Sequence, residues 1–317
     1  ARRQLAVREY VPRPLPMRSA TDVTRPVAAP AIDSVNSNRL RISGERFAVE
    51  FDRRSGFMVR YAVSGAEMIA EGSALEPNFW RAPTDNDYGG GAVAKSKVWR
   101  KPEFTLQGLN ASVEADSVAV VEASYVIPQA GARLVMKYIV DPAGAITVSQ
   151  KMHADPSAPD IFRYGVKVAM PAEYDTSTYY GRGPTENYAD RNDAAFLGVY
   201  CQTADEQAHA YVRPQETGTK TDMRYWRQTD MGGRGIEITA SAPFCASALH
   251  YSIESLDGGD EKAQRHFGEI ERSPLVFLSI DMAHVGAGGV DSWSDDAIAM
   301  EPYRLHSGTY DFCFRLT

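Results

Sequence analysis

Strand follows strand in this chain, and no window of helical length carries an apolar stripe at three- and four-residue steps. Phe47, Val49 and Phe51 alternate with polar or small residues in "FAVEF", and Phe57, Val59 and Tyr61 do so in "FMVRYAV". The period of two fits a strand with one face in a core and one toward water. Asp52 to Gly56 between these runs has the composition of a hairpin turn. "RLVMKYIV" (133–140) and "ITVSQKM" (146–152) repeat the arrangement across "DPAG", where proline and glycine within four residues mark a tight turn. Further strands are expected over 118–127, 162–170, 235–240, 275–281 and 310–316. Many short strands, polar turns and scarcely any helix predict an all-β fold, a large antiparallel sandwich or barrel.

Residues 11–38 hold Pro12, Pro14, Pro16, Pro26 and Pro30, and proline withholds the backbone donors that a sheet needs. Residues 21–38 therefore read as a linker, and the compact domain is expected to begin at Arg39 and run to Thr317. Before the linker, "QLAVREY" looks like a strand with nothing beside it to pair with. This suggests that residues 1–20 end a preceding domain.

A net charge of −7 argues against a nucleic-acid partner, since phosphate binding wants a basic face. No apolar run approaches the length of a membrane-crossing helix, so no membrane partner is expected. Cys201, Cys245 and Cys313 are too few and too scattered for a disulfide framework or a zinc site. The six histidines show no metal-binding spacing. "DNDYGGG" supplies Asp85, Asn86 and Asp87, but the twelfth position of an EF-hand loop would be Ser96 rather than glutamate. No metal site is assigned, and the glycines at 89–91 read as a flexible loop.

Four segments depart from the alternation: "NFWRAPTDNDYGGG" (78–91), "YYGRGPTENYADR" (179–191), "YVRPQETGTKTDMRYW" (211–226) and "HVGAGGVDSWSDD" (284–296). Each mixes aromatic rings with charged or amide groups in a setting of glycine or proline. Carbohydrate sites use that mixture, with rings over the apolar face of a sugar and planar polar groups on its hydroxyls. Trp293, alone among small and acidic neighbours, is either a plug for a nearby gap or a surface offered to a ligand. Glu186 and Glu216 are the most suggestive carboxylates for acid–base work, but sequence cannot set the separation that a glycosidase pair requires.

In this order the four segments resemble the signatures of the small-chain, C-terminal domain of family 2 β-galactosidases, with Thr217 where the family often has asparagine. The resemblance covers residues 40–317 or so. It implies a supersandwich similar to galactose mutarotase, and an immunoglobulin-like domain ending within residues 1–20. It also implies that no catalytic residue lies here, because the family's nucleophile and acid/base glutamates sit on a (β/α)₈ barrel. The partners would be that barrel and the other domains of the same intact chain, together with a galactoside substrate. No cofactor is implied for this chain, since the family's sodium and magnesium belong to the barrel. A homo-oligomeric intact enzyme is compatible with the resemblance, and the compartment is left open. Trp293 matches the family's platform for the leaving-group sugar; Gly89, and with it Asp87, matches the start of a mobile loop beside the active site. Three rival readings are a free-standing aldose 1-epimerase using Glu216 with His250 or His284, a separate small subunit, and a stand-alone sugar-binding module.

Overall fold

The computed structural model describes residues 28–114 and 117–317, so the expectations for residues 1–20 and most of the linker lie outside it. The strands of the first sheet are β1 (Ala31–Asn36), β2 (Arg39–Ser43), β3 (Phe47–Asp52), β4 (Met58–Val63) and β5 (Ala66–Glu67). They pair in sequence order, all antiparallel. The linker thus ends earlier than expected. Pro30 is the last proline before the sheet, and Ala31–Asn36 turns back through Ser37 and Asn38 to pair with β2.

The second sheet has twelve strands. They are β6 (Glu76–Asn78), β7 (Thr105–Val113), β8 (Ala119–Ile127), β9 (Ala132–Val140), β10 (Ile146–Ala154), β11 (Arg163–Met170), β12 (Thr176–Gly183), β13 (Phe196–Thr203), β14 (Lys220–Thr229), β15 (Gly235–Leu249), β16 (Val276–His284) and β17 (Thr309–Leu316). The sheet forks at β15, whose 15 residues serve two partners. Ile238–Ala240 pairs with β17, leading on to β10, β9, β8 and β7, whereas Cys245–Leu249 pairs with β16, leading on to β11 and β6. All pairings are antiparallel. The longest helix among the described residues is α1 (Asp85–Gly89), with 5 residues.

The expected strands are present within a residue or so at most ends, but β12 and β14 run into two of the segments that depart from the alternation, where no strand was expected. The inward residues of β12 are Ser177, Tyr179, Gly181 and Gly183, so its alternation is one of burial and not of hydrophobicity. In β14, buried Gln228 donates to the carbonyl of Tyr174 and accepts from Ser177 and the indole of Trp226. A polar residue at an inward position is stable there because its hydrogen bonds are made internally.

The two sheets meet face to face. Phe51 of β3 is fully buried and packs edge-on against Tyr138 of β9, with ring centroids 4.9 Å apart. The "DPAG" turn closes β9 on β10 as expected. Asp141 accepts the backbone N–H groups of Ala143 and Ala145, and Gly144, at φ +95°, presses its α-carbon side against the Phe47 ring. Its carbonyl accepts the Tyr61 hydroxyl, tying the turn to β4. Phe51→Ala should lower the unfolding free energy by about 3–5 kcal/mol, the usual cost of emptying a buried aromatic site. Denaturant titration would show this; a change below about 1 kcal/mol would mean that the contact does not hold the sheets together.

Candidate functional site

The four motif segments converge at one end of the sandwich. Arg81, 1% exposed, is at the centre. Its Nε and Nη2 donate to Asp87 at 2.9 and 2.7 Å, and its remaining donors reach the carbonyls of Val285 (3.4 Å) and Gly286 (3.1 Å). The first segment therefore holds the root of the fourth. The third clamps the first: Arg213 donates to Asp85 at 2.8 Å and to the carbonyl of Pro83 at 3.1 Å, and the backbone N–H of Glu216 to that of Ala82. The second braces the fourth and the third. Asp190 accepts the N–H of Gly288, while Glu186 accepts the Thr217 hydroxyl and the N–H of Gly218.

After β16 the chain enters the loop that carries Trp293. Gly286 and Gly289 allow approaches that a side chain would block. A Cβ at Gly289 would stand 2.4 Å from the carbonyl oxygens of Asp296 and Ala297. Asp291 shapes the tip by accepting the N–H groups of Trp293 (3.0 Å) and Ser294 (2.9 Å) and the Ser294 hydroxyl (2.6 Å). These hydrogen bonds lower its carboxyl below the ordinary range. Asn86 closes the loop's base, donating to the carbonyls of Asp291 and Ala297 and accepting the Ser292 hydroxyl. Trp293 is 80% exposed, with Val290 and Met300 also exposed, and its indole N–H has no partner among the described residues. A core plug is excluded. The ring is an exposed surface on a loop tied down by hydrogen bonds.

Gly89 and the backbone at Trp293 lie against one another. A Cβ at Gly89 would lie 2.2 Å from the Ser292 carbonyl oxygen and 3.0 Å from the Trp293 nitrogen. Gly89 itself ends α1, and Ala92–Lys95 forms a further short helical turn, so the glycine run is folded where an open loop was expected. Asp87, named beside Gly89 for the site, is turned inward. It is 4% exposed, and its oxygens are taken by Arg81 and by the backbone N–H of Thr84, whose hydroxyl completes the capping box. A carboxylate beside a buried guanidinium is drawn inward by charge, so its part in the site is to position the loop through Arg81.

Residues 43–316 match the family model described as the beta galactosidase small chain. The chain belongs to that family. It is 31% identical over 292 residues to the beta-galactosidase of Priestia megaterium, covering 92% of this chain and 27% of that protein. With BgaC, a beta-galactosidase of Bifidobacterium adolescentis, it shares 30% identity over 87% of this chain and 26% of the other. The chain thus spans about a quarter of the length of the curated relatives it matches. Among solved structures, a galactose 1-epimerase from Lactobacillus acidophilus NCFM aligns at 9% identity and a TM-score of 0.40, over 91% of this chain and 97% of that one.

Within this small-chain domain the other candidates fall into place. Asp85, Asn86 and Asp87 diverge to Arg213 and Lys262, to the Trp293 loop and to Arg81 respectively. No cluster of three metal-ligating side chains occurs among the described residues. Glu216 and His284, one of the epimerase pairings, do approach one another at 3.7 Å, while His250 is engaged by Asp175 and the Leu275 carbonyl. Burial would raise the Glu216 carboxyl, but the Arg163 guanidinium 3.6 Å away and the neighbouring His284 hold it down at about 2. Such a carboxylate is a feeble general base at neutral pH. Arg163 also forms a bidentate pair with buried Asp281. Sequence reasoning quoted Arg81, Asn86 and Asp291 within the motifs without assigning them a role, since no periodicity marks a buried arginine in coil.

Gly89→Ala should displace the loop while leaving the sheets intact. Cleavage at Asp291, Asp295 and Asp296 by an aspartate-specific protease should then speed up several-fold with far-UV circular dichroism unchanged; equal rates would show that the close approach does not restrain the loop. Electrostatics generates a second expectation. Lys220, fully buried, has its ammonium pushed down from 10.5 to about 7 by burial, with Glu186 opposing. Its native value is depressed, so the unfolded chain binds more protons between pH 7 and 10.5, and this lysine's contribution to stability rises with pH across that window. Lys220→Met should flatten that part of the stability profile in denaturant titrations; parallel profiles for the two proteins would refute the assignment.

Proposed function

We propose that this chain serves a retaining β-galactosidase that releases terminal non-reducing β-D-galactose. In this reading it is a non-catalytic domain on the rim of an active site built by a catalytic barrel outside this sequence. The observation that carries the reading is the bare indole of Trp293, 80% exposed on a loop anchored by Asn86, Asp291 and Arg81. A held aromatic face is suited to stack on the apolar side of a sugar ring, because the ring's position is fixed before the ligand arrives. The sugar stacked there would be the aglycone. The two carboxylates that attack the anomeric carbon and protonate the leaving oxygen would come from the barrel, together with any sodium or magnesium.

Three measurements test this. An immunoblot of source cells should show a band several-fold larger than 34.8 kDa, whereas a band at 34.8 kDa would indicate a separate small subunit. The purified chain should not hydrolyse a nitrophenyl β-galactoside; turnover by the chain alone would sink the rim reading. In the galactosidase that contains this chain, Trp293→Ala should weaken glucose as an acceptor by about 3–10-fold, the equivalent of ~0.5–1.5 kcal/mol for an aromatic contact. Hydrolysis of a small aryl galactoside should change less. Unchanged transfer to glucose would remove Trp293 from the site.

A further inference from the structure

A cavity of about 290 Å³ opens on the solvent-side face of β6, β11, β16 and β15, and none of its lining residues belongs to the Trp293 loop. Its floor is a single row in register across the four strands. Glu76 stands beside Lys167, Lys167 beside Ser279, and Ser279 beside Ser247. On one side of this row lie Arg163 and Glu216, and on the other Phe277 and Leu249. The opposite face of the same strands, with Val166, Ile280, Leu278 and Ala246, is packed into the core.

Ser247 and Ser279 are 4% and 6% exposed, yet neither hydroxyl has a hydrogen-bond partner among the described residues. Both residues line the cavity, and neither oxygen is sealed from solvent, so each hydroxyl is free to donate to and accept from a ligand entering that space. At the rim Lys167 donates to Glu254, leaving further ammonium hydrogens for a ligand. The lining contains four carboxyls, Glu71, Glu76, Glu216 and Glu254, against two cations, Arg163 and Lys167, which disfavours an anion. The volume is at the lower end of small-molecule sites, suited to one ring.

We infer that this cavity binds a neutral hexopyranose, with its hydroxyls on Ser247, Ser279 and Lys167 and its apolar face against Phe277 and Leu249. The sugar takes the place of solvent at the two serine hydroxyls, and the apolar row beside them receives the C–H groups. This inference does not depend on the galactosidase reading, because it concerns binding by this chain and no bond is broken.

The test is a titration of the purified 317-residue chain with D-galactose and with D-glucose, followed by saturation-transfer NMR and calorimetry. Saturable binding of at least one sugar is expected, weakened at least 10-fold by Ser279→Leu, which fills the floor, and several-fold by Lys167→Met at the more exposed rim. Circular dichroism establishes that Ser279→Leu is folded; should it fail to fold, Lys167→Met carries the comparison. No saturable binding by the folded wild-type chain overturns the inference. So does binding that survives Ser279→Leu and Lys167→Met, binding abolished by Trp293→Ala, or tighter binding of glucose 6-phosphate than of glucose.

Discussion

Two guanidinium groups buried at one end of the sandwich, those of Arg81 and Arg163, decide how the irregular segments sit on the sheets. Each is 1% exposed, and each is matched by a bidentate carboxylate, Asp87 for the first and Asp281 for the second. A buried ion pair adds little net stability compared with apolar packing, but removing one partner costs about 3–5 kcal/mol because the other is left charged and dry. The pairs therefore act as constraints on geometry. Arg81 has donors to spare after Asp87 is satisfied, and it spends them on two consecutive carbonyls at the root of the Trp293 loop. Moving that loop would leave a buried guanidinium underbonded, so the loop's position is coupled to the core of the domain.

The fork at β15 explains why there is an end at which these arginines can meet. One strand serving two partners splits the large sheet, and the outer face of the branch through β16 and β11 is covered by residues 71–74 and 251–256 together with Ala82, Glu216 and Thr217 of the motif segments. Coil carries unpaired backbone donors and acceptors, and covering a sheet with it is affordable only if they find partners. Here charged side chains supply many of them: Arg213 takes the carbonyl of Pro83, Asp190 the N–H of Gly288, and Glu186 the N–H of Gly218. The density of Arg, Asp and Glu in these motifs thus has a structural origin before any ligand is considered. The cavity above Ser247 and Ser279 is where this cover stands off the sheet.

How much of this was legible in the sequence follows from where the physical signal resides. Strands such as β3, β9 and β10 place apolar side chains on one face and polar ones on the other, and their period of two is visible in the letters. β12 and β14 bury serine, tyrosine, glycine and glutamine, so the same geometry leaves no trace in hydrophobicity. The start of the sheet was missed because a proline-rich lead-in hid the short hairpin from Ala31 to Ser43. Asp87 was named only through the resemblance of its segment to a mobile loop, and its orientation is set by Arg81, a partner six residues earlier in coil where no periodicity points to it. Trp293 was more legible, since glycines and acids around an indole offer nothing for it to pack against.

That contrast extends to all four tryptophans. Trp99 and Trp226 are almost wholly enclosed, their indole N–H groups given to the Pro159 carbonyl and to Gln228, and Trp80 donates to Asp257 beneath the Arg100 guanidinium. Each follows the rule that a buried indole finds an acceptor. Trp293 alone keeps its ring in solvent and its N–H unpartnered, while the backbone beneath it is tied by Asp291, Asn86 and the close approach of Gly89. A flexible loop would let such a ring collapse onto the nearby exposed Val290 and Met300 and recover hydrophobic contact. The hydrogen bonds beneath the ring oppose that relief, and they leave the indole as an apolar surface in water, a feature that monomeric surfaces seldom keep without a use.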